Sequence, residues 1–305
     1  MSEIAFTIRD ALGSGTILAL SGLGLLVNER VGIINLGAEG MMLVGAIAGY
    51  AVGLETGSPW LAFAAGAAAA AALSAVFGWL TIWLNANQYA TGLAVTLFGT
   101  GLSTFVGVSY VGRPHGLARN FAVPGLSEVP FAGLALFQQH PLVYATVLLV
   151  PALWFLFWRT RTGLVLRSIG ESPEAAHALG YPVRRIRFAA VAAGGVLCGL
   201  AGAFMSVQYT GGWTQEMVGG RGWIALALTV FATWRPARLL FGAYLFGGVT
   251  VVQLALQPRV QVPGEFMNML PYVSTIVVLV LISRNPAWIR LNMPASLGKP
   301  FLPSQ

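Results

Sequence analysis

Three clusters of polar side chains interrupt an otherwise apolar chain of 305 residues, and they limit the chemistry open to it. The first is Asn35 and Glu39, in the string Asn35-Leu36-Gly37-Ala38-Glu39-Gly40. The second is Asn85, Asn87, Gln88, Tyr89 and Thr91, followed by Thr96, Thr100, Ser103 and Thr104, which share one face at helical spacing. The third runs from Gln208 to Arg221 and holds Tyr209, Thr210, Trp213, Thr214, Gln215 and Glu216. None of these groups forms a reactive centre by sequence pattern. His-Glu-x-x-His, Gly-x-Ser-x-Gly and Gly-x-Gly-x-x-Gly strings are all absent, as is a Gly-x-x-x-x-Gly-Lys-Ser/Thr phosphate loop. The single lysine, Lys299, sits in a Pro-flanked tail. His115, His140 and His177 read as solvated loop residues, and His115 and His140, which share the outer loop, have no carboxylate or cysteine near them, so no metal site is expected. Cys198 is the one cysteine, which rules out an intrachain disulfide and a cysteine-cluster metal site.

The elements that must position these clusters follow from composition. Only 9% of the residues are charged and 56% are hydrophobic, against roughly 25% charged in an average soluble domain. Twenty-seven charged side chains (17 basic, 10 acidic) cannot cover a water-facing surface of this size. Apolar stretches of the length needed to cross a bilayer occur at 11–28, 33–54, 60–84, 88–111, 141–158, 188–210, 221–234, 238–256 and 270–283. The reading is an all-α polytopic membrane protein of one domain, residues 1–305, with about nine spans (eight to ten). The seventh is short and Gly-flanked, either a span or a re-entrant or tilted element. No cleavable leader is expected, because the start carries Glu3, Arg9 and Asp10 and its apolar run leads straight into a second span.

Basic residues set the direction. Residues 159–187 carry Arg159, Arg161, Arg167, Arg184, Arg185 and Arg187 and are placed in the cytoplasm. Arg30, Arg235, Arg238, Arg284, Arg290 and Lys299 then also fall inside, leaving Arg9, Arg113, Arg119, Arg221 and Arg259 outside. The N-terminus is expected outside and the C-terminus in the cytoplasm, with 112–140 as an outer loop. Ionisable groups within spans are candidates for function by default. Asn35, Glu39, Asn87, Gln88, Thr91, Thr96 and Thr100 are therefore the candidates for a solute pathway. Asn35 and Glu39 either line it or hold a helix break, and the Thr stripe either faces water or hydrogen-bonds neighbouring backbones. Trp213, Glu216 and Arg221 mark an outer mouth, where Glu216 meets either Arg221 or an arginine of a docking partner. Gly45, Gly49 and Gly53, and Gly195 with Gly199, form four-residue ladders suited to close helix packing.

The cytoplasmic segment holds a compact helix. Ser172 is an N-cap, Pro173 its first position, Glu174 suits the positive end of its dipole and Gly180 stops it. Glu174-Ala175-Ala176 followed by Gly180 resembles the EAA loop of ABC importer permeases, the coupling helix that fits a cleft on the ATPase. Arg30-Val31-Gly32-Ile33-Ile34-Asn35-Leu36-Gly37-Ala38-Glu39-Gly40 and Gly219-Gly220-Arg221-Gly222-Trp223-Ile224-Ala225-Leu226-Ala227 are similar to hallmark stretches of the branched-chain amino acid and simple-sugar permease superfamily. Their form looks most like the shorter permease of nucleoside importers that use basic-membrane-protein-type binding lipoproteins.

That resemblance implies a type II ABC importer-like permease in the bacterial inner (cytoplasmic) membrane, with Glu171, Glu174, Ala175, Ala176 and Gly180 coupling it to an ATPase. It implies no cofactor in this chain, ATP and Mg being held by the ATPase. The implied partners are a second homologous permease in a heterodimer, an ABC ATPase with two fused nucleotide-binding domains and an extracytoplasmic substrate-binding lipoprotein, with no nucleic acid. The implied solutes are nucleosides or related purine and pyrimidine compounds, with branched-chain amino acids or monosaccharides as alternatives. A secondary transporter or channel is the reading from another class, and it calls for more buried ionisable groups than Glu39 alone provides.

Overall fold

A computed structural model describes residues 2–113, 120–122, 125–257, 263–283 and 292–302. His115, Arg119, Arg259, Arg284 and Arg290 lie outside the described residues. The helices are α1 (Ser2–Arg30), α2 (Ala38–Thr56), α3 (Pro59–Ile82), α4 (Gln88–Gly107), α5 (Ala132–Leu136), α6 (Pro141–Arg159), α7 (Arg161–Glu171), α8 (Pro173–Ala178), α9 (Val183–Phe204), α10 (Arg221–Phe231), α11 (Pro236–Leu256) and α12 (Gly264–Ser283). A π-helical turn, Met205–Tyr209, prolongs α9.

Local chemistry explains half of the helix starts. Ser58, Asn87, His140, Thr160 and Ser172 each accept a hydrogen bond from a first-turn amide with the side chain, and Pro59, Pro141, Pro173 and Pro236 fill early positions that need no N–H. Among the described residues, α1, α2, α3, α4, α6, α9 and α11 are long and apolar enough to cross a membrane. The seventh expected segment yields only the eleven-residue α10, and the ninth lies within the twenty-residue α12. Among the described residues seven helices meet both criteria, so the count of nine is not confirmed.

Helices α2, α3 and α9 form the tightest part of the bundle. A Cβ on Gly45 would lie 2.6 Å from Gly199 Cα, and one on Gly195 would run into Ser74 Cβ, so the glycines let α2 and α3 approach α9 closely. Two segments expected as loops are more ordered than that. Residues 112–140 include α5 and an antiparallel pairing of β1 (Phe121–Ala122) with β2 (Gln138–Gln139). Gln139 Nε2 donates to Ala135 O at 2.8 Å, tying that pairing to α5. Residues 159–187 form α7, α8 and the first turn of α9, so Arg167–Glu171 belong to a separate helix that ends where Ser172 caps the next.

Candidate functional site

The polar clusters of the second and fourth spans converge on the break that precedes α2. Asn35 Oδ1 accepts from Gly37 N at 2.9 Å and its Nδ2 donates to Met41 Sδ, closing a turn within the break. Gln88 Oε1 accepts from Ile34 N at 2.8 Å, and Thr96 Oγ1 donates to Leu36 O at 2.9 Å. Asn87 caps α4 through Tyr89 N and Ala90 N, Thr100 donates to Thr96 O, and Thr91 is half-buried between them. Backbone freed by a break within apolar surroundings needs such partners. The hydrogen bonds of Asn35, Gln88 and Thr96 hold the break, whereas those of Asn87 and Thr100 stay within α4.

Glu39 does something further. Its two carboxylate oxygens accept from Gly220 N and Gly222 N, each at 2.7 Å, so a side chain of α2 caps the N-terminus of α10. The positive end of the α10 dipole favours this anion. Gly222 permits the approach, because a Cβ there would sit 2.6 Å from Glu39 N. At the other end of α10, Glu29 accepts from Thr229 Oγ1 at 3.1 Å and from Trp234 Nε1, while Arg30 Nη2 donates to Trp234 O at 2.6 Å. Thr233 and Trp234 have φ of 49° and 54°, a left-handed turn that non-glycine residues rarely adopt. Arg238 Nη1 also holds it, donating to Thr233 Oγ1 at 2.9 Å. Neither Glu29 nor Trp234 was singled out from sequence. The signal was present, since Glu29 is an acid in an apolar helix, as Glu39 is.

At the outer mouth, one of the two contacts open to Glu216 is not made. Trp213 is buried against Gly107, and Arg221 Nη1 donates to Met217 O and Val218 O. Glu216 is exposed and does not pair with Arg221, because among the described residues the one ion pair within 4.0 Å is Arg9–Asp10. A cavity of about 370 Å³ opens instead between the start of α1, the outer segment and the end of α9, where Arg9, Asp10, Gln139, His140, Gln208 and Tyr209 meet. His140 is not a solvated loop residue. Its ring packs between Phe63 and Phe204, and its Nδ1 accepts from Leu142 N at 3.2 Å to cap α6. Burial pushes this imidazole down to about 4. His177 lies in α8, against Phe301. Among the described residues no three of His, Cys, Asp and Glu come together as metal ligands.

At the opposite end, Ser172 Oγ accepts from Ala175 N, and Gly180, at φ 87°, closes α8 with its N–H on His177 O. Ala176 faces inward, while Glu174, Ala175, Leu179 and Gly180 are exposed, Leu179 to 77%. A cavity of about 500 Å³ beside them is lined by Leu164, Arg167, Glu171, Ala175, Leu179 and Tyr181 among others. Leu179 and Tyr181 were not singled out, because an exposed apolar residue cannot be told from a buried one by type alone. The segment is bonded to the break. Gly170 O accepts from Ser296 N and Ser296 Oγ, Ala295 N donates to Glu171 Oε2, and Arg187 donates through Nε to Val31 O and through Nη2 to Ser296 Oγ. Gly298 N donates to Gly32 O at 3.0 Å.

Residues 7–282 match the family described as branched-chain amino acid transport system / permease component. The chain is 40% identical to a Haloferax volcanii protein named "Putative glucose ABC transporter permease protein TsgC13", over 97% of each chain. It is 32% identical to the nucleoside ABC transporter permease protein NupC of Lactococcus lactis subsp. cremoris, over 92% of this chain and 93% of that one. Among solved structures it resembles "An inward-facing conformation of a putative metal-chelate type ABC transporter", with a TM-score of 0.54 at 18% identity, over 90% of this chain and 85% of that one. At that identity the likeness speaks for the fold.

Proposed function

From the premise that this chain belongs to the branched-chain amino acid transport permease family and is the membrane-spanning permease subunit of an ABC importer, we propose that it carries nucleosides or related purine and pyrimidine compounds into the cytoplasm. The chain is non-catalytic, and ATP hydrolysis resides on a separate ATPase chain. A binding protein outside the membrane completes the importer. In the finer reading that binding protein is a lipoprotein, the ATPase has two fused nucleotide-binding domains, and a second, homologous permease pairs with this one. The N-terminus faces outside and the C-terminus the cytoplasm.

The observation that carries the reading is the bonded connection of the break before α2 to α7, α9 and the tail, the segments that flank α8. ATP-driven movement of the ATPase displaces the exposed surface of Glu174, Ala175, Leu179 and Gly180. Arg187, Ser296 and Gly170 pass that displacement to Val31 and Gly32, and Glu39 passes it on to the N-terminus of α10. Outward-open and inward-open arrangements then differ in these contacts, as a shift of the equilibrium between them requires. Replacing Leu179 by Asp in the assembled complex should weaken ATPase docking by about 2 kcal/mol or more, as for a buried apolar anchor. Glu174→Lys with Gly180→Val should uncouple ATP hydrolysis from uptake while the protein stays in the membrane. Normal co-purification and transport in these variants would defeat the coupling assignment.

The nucleoside reading is supported by the Asn35–Gly40 and Gly219–Ala227 strings and by the likeness to the nucleoside permease. The likeness to the Haloferax chain favours a monosaccharide as the second reading. Uptake of labelled nucleosides, glucose, ribose and leucine by the reconstituted complex separates them. Faster uptake of glucose, ribose or leucine than of any nucleoside overturns the first reading.

A further inference from the structure

A third cavity, of about 330 Å³, lies where α6 ends and α11 begins, on the same side of the bundle as α7 and α8. Trp154, Trp158, Arg235, Pro236, Ala237 and Arg238 line it, and no carboxylate does. Cations crowd around it. Arg30 and Arg167 both lie over the Trp158 ring, at 5.2 and 5.9 Å from its centroid, and Arg159 lies over Trp154 at 5.9 Å. Arg167 and Arg235 are each close enough to Arg30 to repel it, and Glu171 partly offsets them. Arg30 Nε and Arg167 Nε are buried without an acceptor. The N-terminus of α11 adds the positive end of its dipole.

The surface beside the cavity is apolar. Leu148 and Phe155 on α6 and Phe241 and Leu245 on α11 are exposed, between 42% and 69%, and α6 and α11 are neighbours in the bundle. Tryptophans sit at the level of lipid headgroups, and basic pockets between membrane helices hold anionic headgroups. A soluble anion would satisfy the arginines but leave the apolar seam uncovered.

We propose that this cavity holds the phosphate headgroup of an anionic phospholipid, with the acyl chains lying along the seam between α6 and α11. The guanidiniums of Arg235 and Arg238 meet the phosphate at the mouth, and the ring edges of Trp154 and Trp158 stand at the glycerol level. The site concerns the membrane around the chain and is independent of which solute the importer carries.

The test is lipid binding to the purified permease–ATPase complex in detergent, read by native mass spectrometry, with phosphatidylglycerol, phosphatidylcholine and inorganic phosphate in separate arms. Phosphatidylglycerol should bind at least about tenfold more tightly than phosphatidylcholine. Arg235→Gln should weaken it about fivefold, and Arg235→Gln with Arg238→Gln about twentyfold or more, leaving phosphatidylcholine unchanged. Arg238 also supports the Thr233–Trp234 turn, so Ala237→Glu serves as the variant that removes no bond and places an acid in the cavity. It should abolish the preference for phosphatidylglycerol while the complex stays assembled. Equal binding of the two lipids by the unaltered complex, or unchanged preference in Ala237→Glu, overturns the proposal. Competition by millimolar inorganic phosphate makes the cavity a soluble-anion site, and loss of assembly in Ala237→Glu makes it a protein interface. Either result also overturns it.

Discussion

The two ends of α10 are each held by a buried glutamate from another helix, and they are held in different ways. At the N-terminus Glu39 accepts two backbone N–H groups that would otherwise lack partners, and its charge complements the dipole. Near the C-terminus Glu29 faces the unfavourable end of the same dipole and accepts from side chains, Thr229 Oγ1 and Trp234 Nε1, while Arg30 binds Trp234 O. A helix of eleven residues is marginal by itself. The contrast says that the upper end depends on a carboxylate as such, whereas the lower end depends on an acceptor together with a cation next to it.

The largest effect that tests this contrast is Glu39→Ala. It leaves one buried and one half-buried amide without acceptors and should destabilise the protein by roughly 3–5 kcal/mol, read as a fall in the midpoint of thermal unfolding in detergent. Glu39→Gln should come next, at roughly 2–3 kcal/mol, because a carboxamide offers one acceptor and turns its own N–H₂ toward the second amide. Glu29→Gln should cost only about 1 kcal/mol, since one acceptor still serves Trp234 or Thr229. If Glu29→Gln proves as damaging as Glu39→Gln, the two ends are alike and the dipole argument fails.

The same pair marks how far the sequence could be read. Glu39 stood out because it follows Asn35 in a Gly-rich break, and the polar residues near it could be identified before their partners were known. Their job was harder to see. Asn35, Gln88 and Thr96 bond backbone atoms of the break, and sequence shows side chains, not which main-chain groups have lost their partners. Glu29 was passed over because it adjoins Arg30, which reads as the cytoplasmic end of a span. The helix α8 was legible to its caps, because Ser172, Pro173 and Gly180 act locally. The tail from Pro294 to Phe301 was not, since its attachments to Gly170, Glu171, Gly32 and His177 are all long-range. Length and composition placed α10 among the spans, although only eleven residues are helical, because the turn at Thr233–Trp234 is apolar enough to extend the run.

Gly222→Ala examines the N-terminal end of α10 without removing the carboxylate. A Cβ at that position lies 2.6–2.7 Å from Glu39 N, Cα and Oε2, so α2 and α10 must part or the cap must turn away. The expected loss is about 1–3 kcal/mol. Transport should fall with it if the link from Glu39 to α10 passes on the movement of α8. Full transport with a separated cap would confine Glu39 to stability.

The last effect concerns acid, and it isolates the two glutamates from a group that titrates in contact with the outer cavity. His140 caps α6 through an unprotonated Nδ1, and burial lowers it from 6.5 to about 4. Between those values the unfolded chain binds more protons at this position than the folded one, so unfolding is favoured as pH falls. The contribution is whole above about pH 6.5 and is lost progressively as pH falls toward about 4. His140→Asn retains a capping acceptor and carries no titrating group. Whatever its stability at pH 7.5, its unfolding midpoint should vary less between pH 6.5 and 4 than that of the unaltered chain. Glu39→Gln and Glu29→Gln should keep the parent's slope attributable to His140, since neither touches the cap. An unchanged slope in His140→Asn would move the acid sensitivity away from the outer end and toward the carboxylates that hold α10.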